Sequence, residues 1–194
     1  MVTPRAIPLP ASFRGSRTYL TGATLFDLLR SSTGAKKNVE LKCSRLMTEA
    51  VRALEVDASK ATHGGFGVFS YSADGAKRTW NLVADPAVAA PGRVPCNEMA
   101  ILERSELKSG QIFVEFAEGG TGTLVENVVA LNKKMIETFH SPAGKLYFTQ
   151  VFMAWLPKAG TLGLKLQTHV GTKLFVSEMT MDGENFGKIT FVAK

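Results

Sequence analysis

A chain of 194 residues, 45% hydrophobic and 21% charged, can bury one substantial core or two small ones, and that balance is ordinary for a globular protein. No apolar run reaches the roughly 18 residues that a membrane-spanning helix requires. Two cysteines, Cys43 and Cys96, make no disulfide framework, which points to a reducing, intracellular compartment; CxxC pairs, metal-ligand spacings and Walker or Rossmann glycine patterns are all missing.

The net charge of +6 sits at the front of the chain. Residues 1–45 hold Arg5, Arg14, Arg17, Arg30, Lys36, Lys37, Lys42 and Arg45 against only Asp27 and Glu40, and basic and acidic residues balance beyond them. Three readings of this excess are open. It is a solvated arm, a segment contacting RNA or an acidic partner (Arg14, Arg17, Lys36, Lys37 and Arg45), or the remnant of a mitochondrial import presequence. Pro4, Pro8 and Pro10 argue against the amphipathic helix that import needs.

Residues 1–18 read as a basic irregular arm. Residues 18–34 (TYLTGATLFDLLRSSTG) predict a helix of two to three turns stopping before Gly34, with Thr24 and Asp27 at capping spacing and Leu25, Leu28 and Leu29 as its stripe. Alternation at Val39, Leu41 and Cys43 predicts a strand over 37–44, whereas 45–57 fits helix and strand alike. His63-Gly64-Gly65 reads as a turn, and Asp74-Gly75 predicts a hairpin between 66–73 and 77–84. Residues 85–110 read as a linker with a short helix capped by Asn97.

Gln111–Ala117 alternates as a strand, and 123–139 carries the strongest helical pattern. Leu124, Val128, Leu131, Met135 and Phe139 recur at three- and four-residue steps, widened by Val125 and Ile136, with Asn132, Lys133, Lys134 and Glu137 assigned to the other side. Thr123 and Glu126 form a capping-box signal, and Gly119-Gly120-Thr121-Gly122 leads into it. Four strands are predicted after Pro142 and Gly144: 146–156, 162–170, 173–181 and 186–193, the last two joined through Asp182-Gly183. The halves match weakly but in order: 21–29 with 120–128, 37–47 with the strand after Lys145, and 69–84 with 176–193. That order suggests a duplicated unit.

The second half resembles hotdog-fold acyl-thioesterase domains, on GGTGTLVEN (119–127), FMAWLPKAG (152–160) and DGENFGKITFVAK (182–194). The resemblance implies an α+β hotdog fold, an antiparallel sheet wrapped around a long central helix, over 111–194. Its fainter extension over 19–84 implies a degenerate first copy, and so a tandem double hotdog. It also implies binding or hydrolysis of an acyl-CoA or acyl-carrier thioester without a cofactor. The carbonyl would be held by amides of Gly119, Gly120, Thr121, Gly122 and Thr123, with water activated by Glu126, whose first-copy counterpart would be Asp27. The chemistry is sound, since backbone N–H groups at a helix start stabilise a developing oxyanion and a desolvated carboxylate can take a proton from water. The chain departs from the pattern at Glu118, where such domains often carry histidine. A second reading is a non-catalytic hotdog subunit of a homo-oligomer or larger assembly, touching RNA or an acidic partner through its basic front. A third is a β-rich shell protein with a basic arm.

Overall fold

The computed structural model describes residues 5–61, 65–87, 92–96 and 98–194. The chain divides into two compact units, Met1–Cys96 and Asn97–Lys194.

In the first unit the segment read as an irregular basic arm contains a strand, β1 (Ala6–Leu9), which pairs antiparallel with β4 (Val51–Val56) along the sheet edge. Pro8 fits there, since an edge strand has one side that needs no donor. Next come β2 (Phe13–Arg14) and the helix α1 (Gly22–Thr33). Its Thr21 N-cap side chain accepts from the Thr24 amide at 3.3 Å, and Gly34 closes it in the left-handed conformation. The helix therefore starts three residues earlier than the Thr24–Asp27 spacing suggested. After α1 come β3 (Lys37–Cys43), β4, a 3-10 turn at Ala58–Lys60, β5 (Gly67–Ala73) and β6 (Ala76–Ala84). Within the segment 45–57, open between helix and strand, Val51–Val56 resolves as β4, with Val51 and Ala53 both buried in the sheet. The short strand β7 (Arg93–Val94) pairs parallel with β2.

The second unit follows its periodicity closely. The linker segment holds α2 (Glu98–Leu102) and β8 (Glu106–Lys108); Asn97, its expected cap, lies outside the described residues, as do His63 and Gly64. β9 (Gln111–Ala117) leads to α3 (Leu124–Phe139), which packs on β9 and on the sheet strands β11 (Ala159–Val170) and β12 (Leu174–Met181). β10 (Leu146–Trp155) and β13 (Glu184–Ala193) complete the sheet. Met135, Met153, Met179 and Met181 are core residues.

All pairings within each unit's main sheet are antiparallel. The four strands after α3 are not a plain meander: β11, β12 and β13 are successive neighbours, but β10 pairs with β13. From the strand before the helix to the strand after it, the second unit runs β9-β11-β12-β13-β10, with β8 outside β9. The first unit runs β1-β4-β6-β5-β3. The element order repeats, but the last two strands have changed places. A tight turn at 171–173 makes β11 and β12 neighbours, whereas β6 lies between β4 and β5 and pairs with both. Asp74-Gly75 and Asp182-Gly183 both close hairpins, as expected, yet β5 stands where β13 does. The sequence match of 69–84 with 176–193 thus relates strands in exchanged places.

Asn132 corrects the reading of α3. Assigned to the polar side, it is fully buried. It lies seven residues after Val125, four after Val128 and four before Ile136, which puts it within the apolar stripe. Neither its Nδ2 nor its Oδ1 has a hydrogen-bond partner among the described residues. Leaving such an amide unmet costs about 1–3 kcal/mol, so Asn132→Leu, which keeps the branched four-atom skeleton, is expected to stabilise by up to that much, less whatever its bulkier methyl groups cost in packing. Urea denaturation reads this directly; an unchanged or lowered midpoint would show that the amide is satisfied in solution.

Candidate active site at the start of the long helix

Residues 117–127 form a glycine-led approach to α3. Both halves of the capping box are made: the Glu126 amide donates to Thr123 Oγ1 at 3.2 Å, and the Thr123 amide donates to Glu126 Oε2 at 3.0 Å. Gly122 takes φ +73°, and a Cβ there would sit 2.9 Å from Ile101 Cδ1 and 3.3 Å from Glu126 Oε2. Only glycine suits that backbone and that spacing. Ile101, on α2, is buried, and Glu98 of the same helix meets Lys133 of α3 at 3.1 Å. Thus α2 lies beside the approach to α3.

The expected donors separate. The Gly120 amide is engaged by the Ala117 carbonyl at 3.0 Å, and the Thr123 amide by Glu126. The amides of Thr121 and Gly122 meet no acceptor among the described residues, and both residues are half-buried; Gly119 and Gly120 are exposed. Glu126 is half-buried at the third helical position.

Asn127 is the residue that the sequence reading missed. Its side chain is fully buried, and Nδ2 donates to the carbonyls of Thr121 and Thr123, both at 2.9 Å. In a trans peptide the carbonyl and the next N–H point in opposite directions. Pinning the Thr121 carbonyl toward Asn127 therefore turns the Gly122 N–H away from it. The signal was an asparagine directly after the capping glutamate, where a plain helix would have little use for a buried amide.

Asp27 is not the structural counterpart of Glu126. Counted from the N-cap, Glu126 is matched by Thr24, whose hydroxyl lies 2.9 Å from Thr21 Oγ1. Asp27 sits half-buried one turn deeper in α1. The sequence match had aligned Thr24 with Thr123, whereas the cap is set by Thr21 because that residue leaves the extended conformation into the helix.

The basic front is largely engaged within its own unit. Arg14 donates to Thr24 Oγ1 at 3.3 Å and to the Pro95 carbonyl at 3.4 Å, while Arg17 reaches Cys96 Sγ at 3.1 Å. The Arg45 guanidinium lies 4.4 Å from the centre of the Phe66 ring, in cation–π geometry. Lys36 and Lys37 are exposed.

The two thiols differ in environment. Burial pushes Cys43 up to about 12, whereas Cys96 is exposed. The thiolate is the reactive species. Native protein at neutral pH is expected to release about one equivalent of chromophore from a thiol-exchange reagent, and two after denaturation; rapid labelling of Cys43 in a Cys96→Ser variant would contradict this.

Strand, helix and then a sheet ordered β9-β11-β12-β13-β10 define the hotdog fold. The chain is similar over its whole length to the pyran synthase domain from module nine of the sorangicin pathway, with 10% identity, 100% of this chain and 95% of that one covered, and a TM-score of 0.53. Other matches include the tesB protein of Mycobacterium avium subs paratuberculosis (15% identity, 94% and 90% covered, TM-score 0.48) and an acyl-ACP thioesterase from Bacteroides thetaiotaomicron (11% identity, 97% of both chains, TM-score 0.48). At such identities the likeness is one of fold. No family model matches the chain, and no curated protein matches it in sequence.

Proposed function

We propose that this chain is a tandem double hotdog, its first copy degenerate, that binds acyl thioesters of coenzyme A or an acyl carrier and hydrolyses them at the start of α3. The observation that carries the reading is the pair of half-buried amides at Thr121 and Gly122, the second of them oriented through Asn127, beside the Glu126 carboxylate. In this reading those amides receive the thioester oxygen as it becomes anionic, aided by the positive end of the helix. Glu126 removes a proton from water as the water's oxygen attacks the carbonyl carbon. Collapse of the tetrahedral intermediate breaks the carbon–sulfur bond, and the thiolate takes up a proton to leave as thiol. Asp27 keeps no role here, because it lies a turn away from the matching position in α1.

The test is thiol release from short, medium and long acyl-CoA and from acyl-carrier thioesters by the full chain. Turnover above background that falls in Glu126→Gln supports the reading. Background rates on the whole panel, with no binding of a non-hydrolysable thioether analogue, overturn it.

A further inference from the structure

Two histidines that the proposed hydrolysis leaves aside, His140 and His169, stand at the far end of α3. His140 is the C-cap of that helix, and His169, near the end of β11, pairs with Phe175 of β12. The imidazoles lie 5.6 Å apart between ring centroids, tilted by 40°, and each also meets Phe175, at 6.3 and 6.4 Å. His169 Nδ1 is 2.9 Å from the Gly171 carbonyl oxygen. A carbonyl only accepts, so the neutral ring carries its proton on Nδ1 and keeps the Nε2 lone pair. Neither ring nitrogen of His140 has a hydrogen bond among the described residues. Burial, and secondarily the neighbouring His169, hold His140 below the ordinary histidine pKa, which keeps it neutral near pH 7.

We propose that His140 and His169 form a two-imidazole site for a divalent transition metal of the zinc class, clamping the carboxyl end of α3 to β11. Ring spacing supports it. Two imidazoles on one tetrahedral zinc, with Zn–N bonds near 2.0–2.1 Å, have centroids about 5.2 Å apart, so a small side-chain adjustment closes the pair. The hydrogen bond from His169 Nδ1 to a backbone carbonyl is the orienting contact that metal-bound histidines characteristically make. The helix end also suits a cation: the last turn of α3 holds no basic residue, and Glu137 precedes His140 by three positions. Lys173, the basic residue nearest to Phe175 in the chain, is exposed, and solvent screens it. Among the described residues no third His, Cys, Asp or Glu joins the pair, so water completes the coordination and the site is weaker than a four-ligand structural zinc. The site stands about 24 Å along α3 from the glycine approach, at 1.5 Å per residue, and does not depend on the hydrolase reading.

The experiment uses the full chain in a Cys96→Ser background, so that the exposed thiol is not the ligand, stripped with EDTA and titrated with zinc chloride by calorimetry at pH 7.5. One zinc per chain is expected, with a melting temperature that rises with zinc concentration as ligand linkage requires. His169→Ala and His140→Asn, the latter keeping a residue suited to a helix end, are each expected to weaken binding by about tenfold or more, and acidification to pH 5.5 to abolish it as protons compete for the imidazoles. No zinc binding by the parent chain overturns the proposal. So does undiminished binding in either histidine variant while its circular dichroism matches that of the parent chain.

Discussion

Glu126→Gln is expected to fold as the wild type does and to lose about a hundredfold or more in kcat/KM on any acyl thioester that the wild type hydrolyses. The two halves of that result separate the two duties of one side chain. Glu126 Oε2 accepts the Thr123 amide at 3.0 Å, and a glutamine carbonyl oxygen can do the same, since capping boxes use Glu and Gln alike. Stability should therefore stay within about 0.5 kcal/mol of the wild type. What glutamine cannot do is take a proton from water. Thr123→Ala provides the complementary control: it removes the hydroxyl that receives the Glu126 amide, costs about 1 kcal/mol of stability, and leaves the carboxylate in place. Steady-state kinetics beside thermal melts decide the matter. Equal activity in Glu126→Gln would reduce Glu126 to a cap, with the water activated elsewhere.

Gly187→Ala is expected to destabilise the second unit by about 3 kcal/mol or more, the upper end of what overpacking a core costs. Gly187 is buried in β13 and pairs with Met153 of β10. A Cβ there would overlap the Phe152 carbonyl oxygen and stand 2.8 Å from Met179 Cε. The methionine could swing aside, being flexible, but the carbonyl belongs to the backbone and moves only if β10 moves. β13 is bonded to β12 on its other edge, so shifting it disturbs both ladders. Chemical denaturation should show the loss, and a midpoint within 0.5 kcal/mol of wild type would mean that the two strands separate more easily than their pairing implies. Gly75→Ala, in an open turn with nothing near the new methyl, is the comparison for glycine loss without crowding.

Acidification acts on His140 in a defined direction. Its folded-state pKa is lowered, so the unfolded chain binds the proton more readily, and the associated stability is present above the ordinary histidine value and lost as pH falls through that range. His140→Asn should flatten this part of the pH–stability profile.

Most of the second unit was legible in the residues because its signals are local. The apolar steps of Leu124, Val128, Leu131 and Met135 mark α3, Thr123 and Glu126 mark its start, and the alternation of Ile112, Val114 and Phe116 marks β9. What misled also has physical causes. Val51–Val56 has too little polar contrast to separate strand from helix, and α1 offers Thr21 and Thr24 as rival caps three residues apart. Asn132 was judged by its polarity when its spacing from Val125, Val128 and Ile136 already placed it on the buried face.

Local periodicity and capping chemistry determined where helices and strands lie, and the glycine run before α3 marked the turn that leads into it. Those features depend on residues within one or two turns of each other. The exchange of β5 and β6, the inward turn of the Thr121 and Thr123 carbonyls onto Asn127, and the meeting of His140 with His169 were decided only by the tertiary structure. Each joins groups through the packing of whole elements or the path of a loop, and no pattern in a short window encodes which partner the chain will meet.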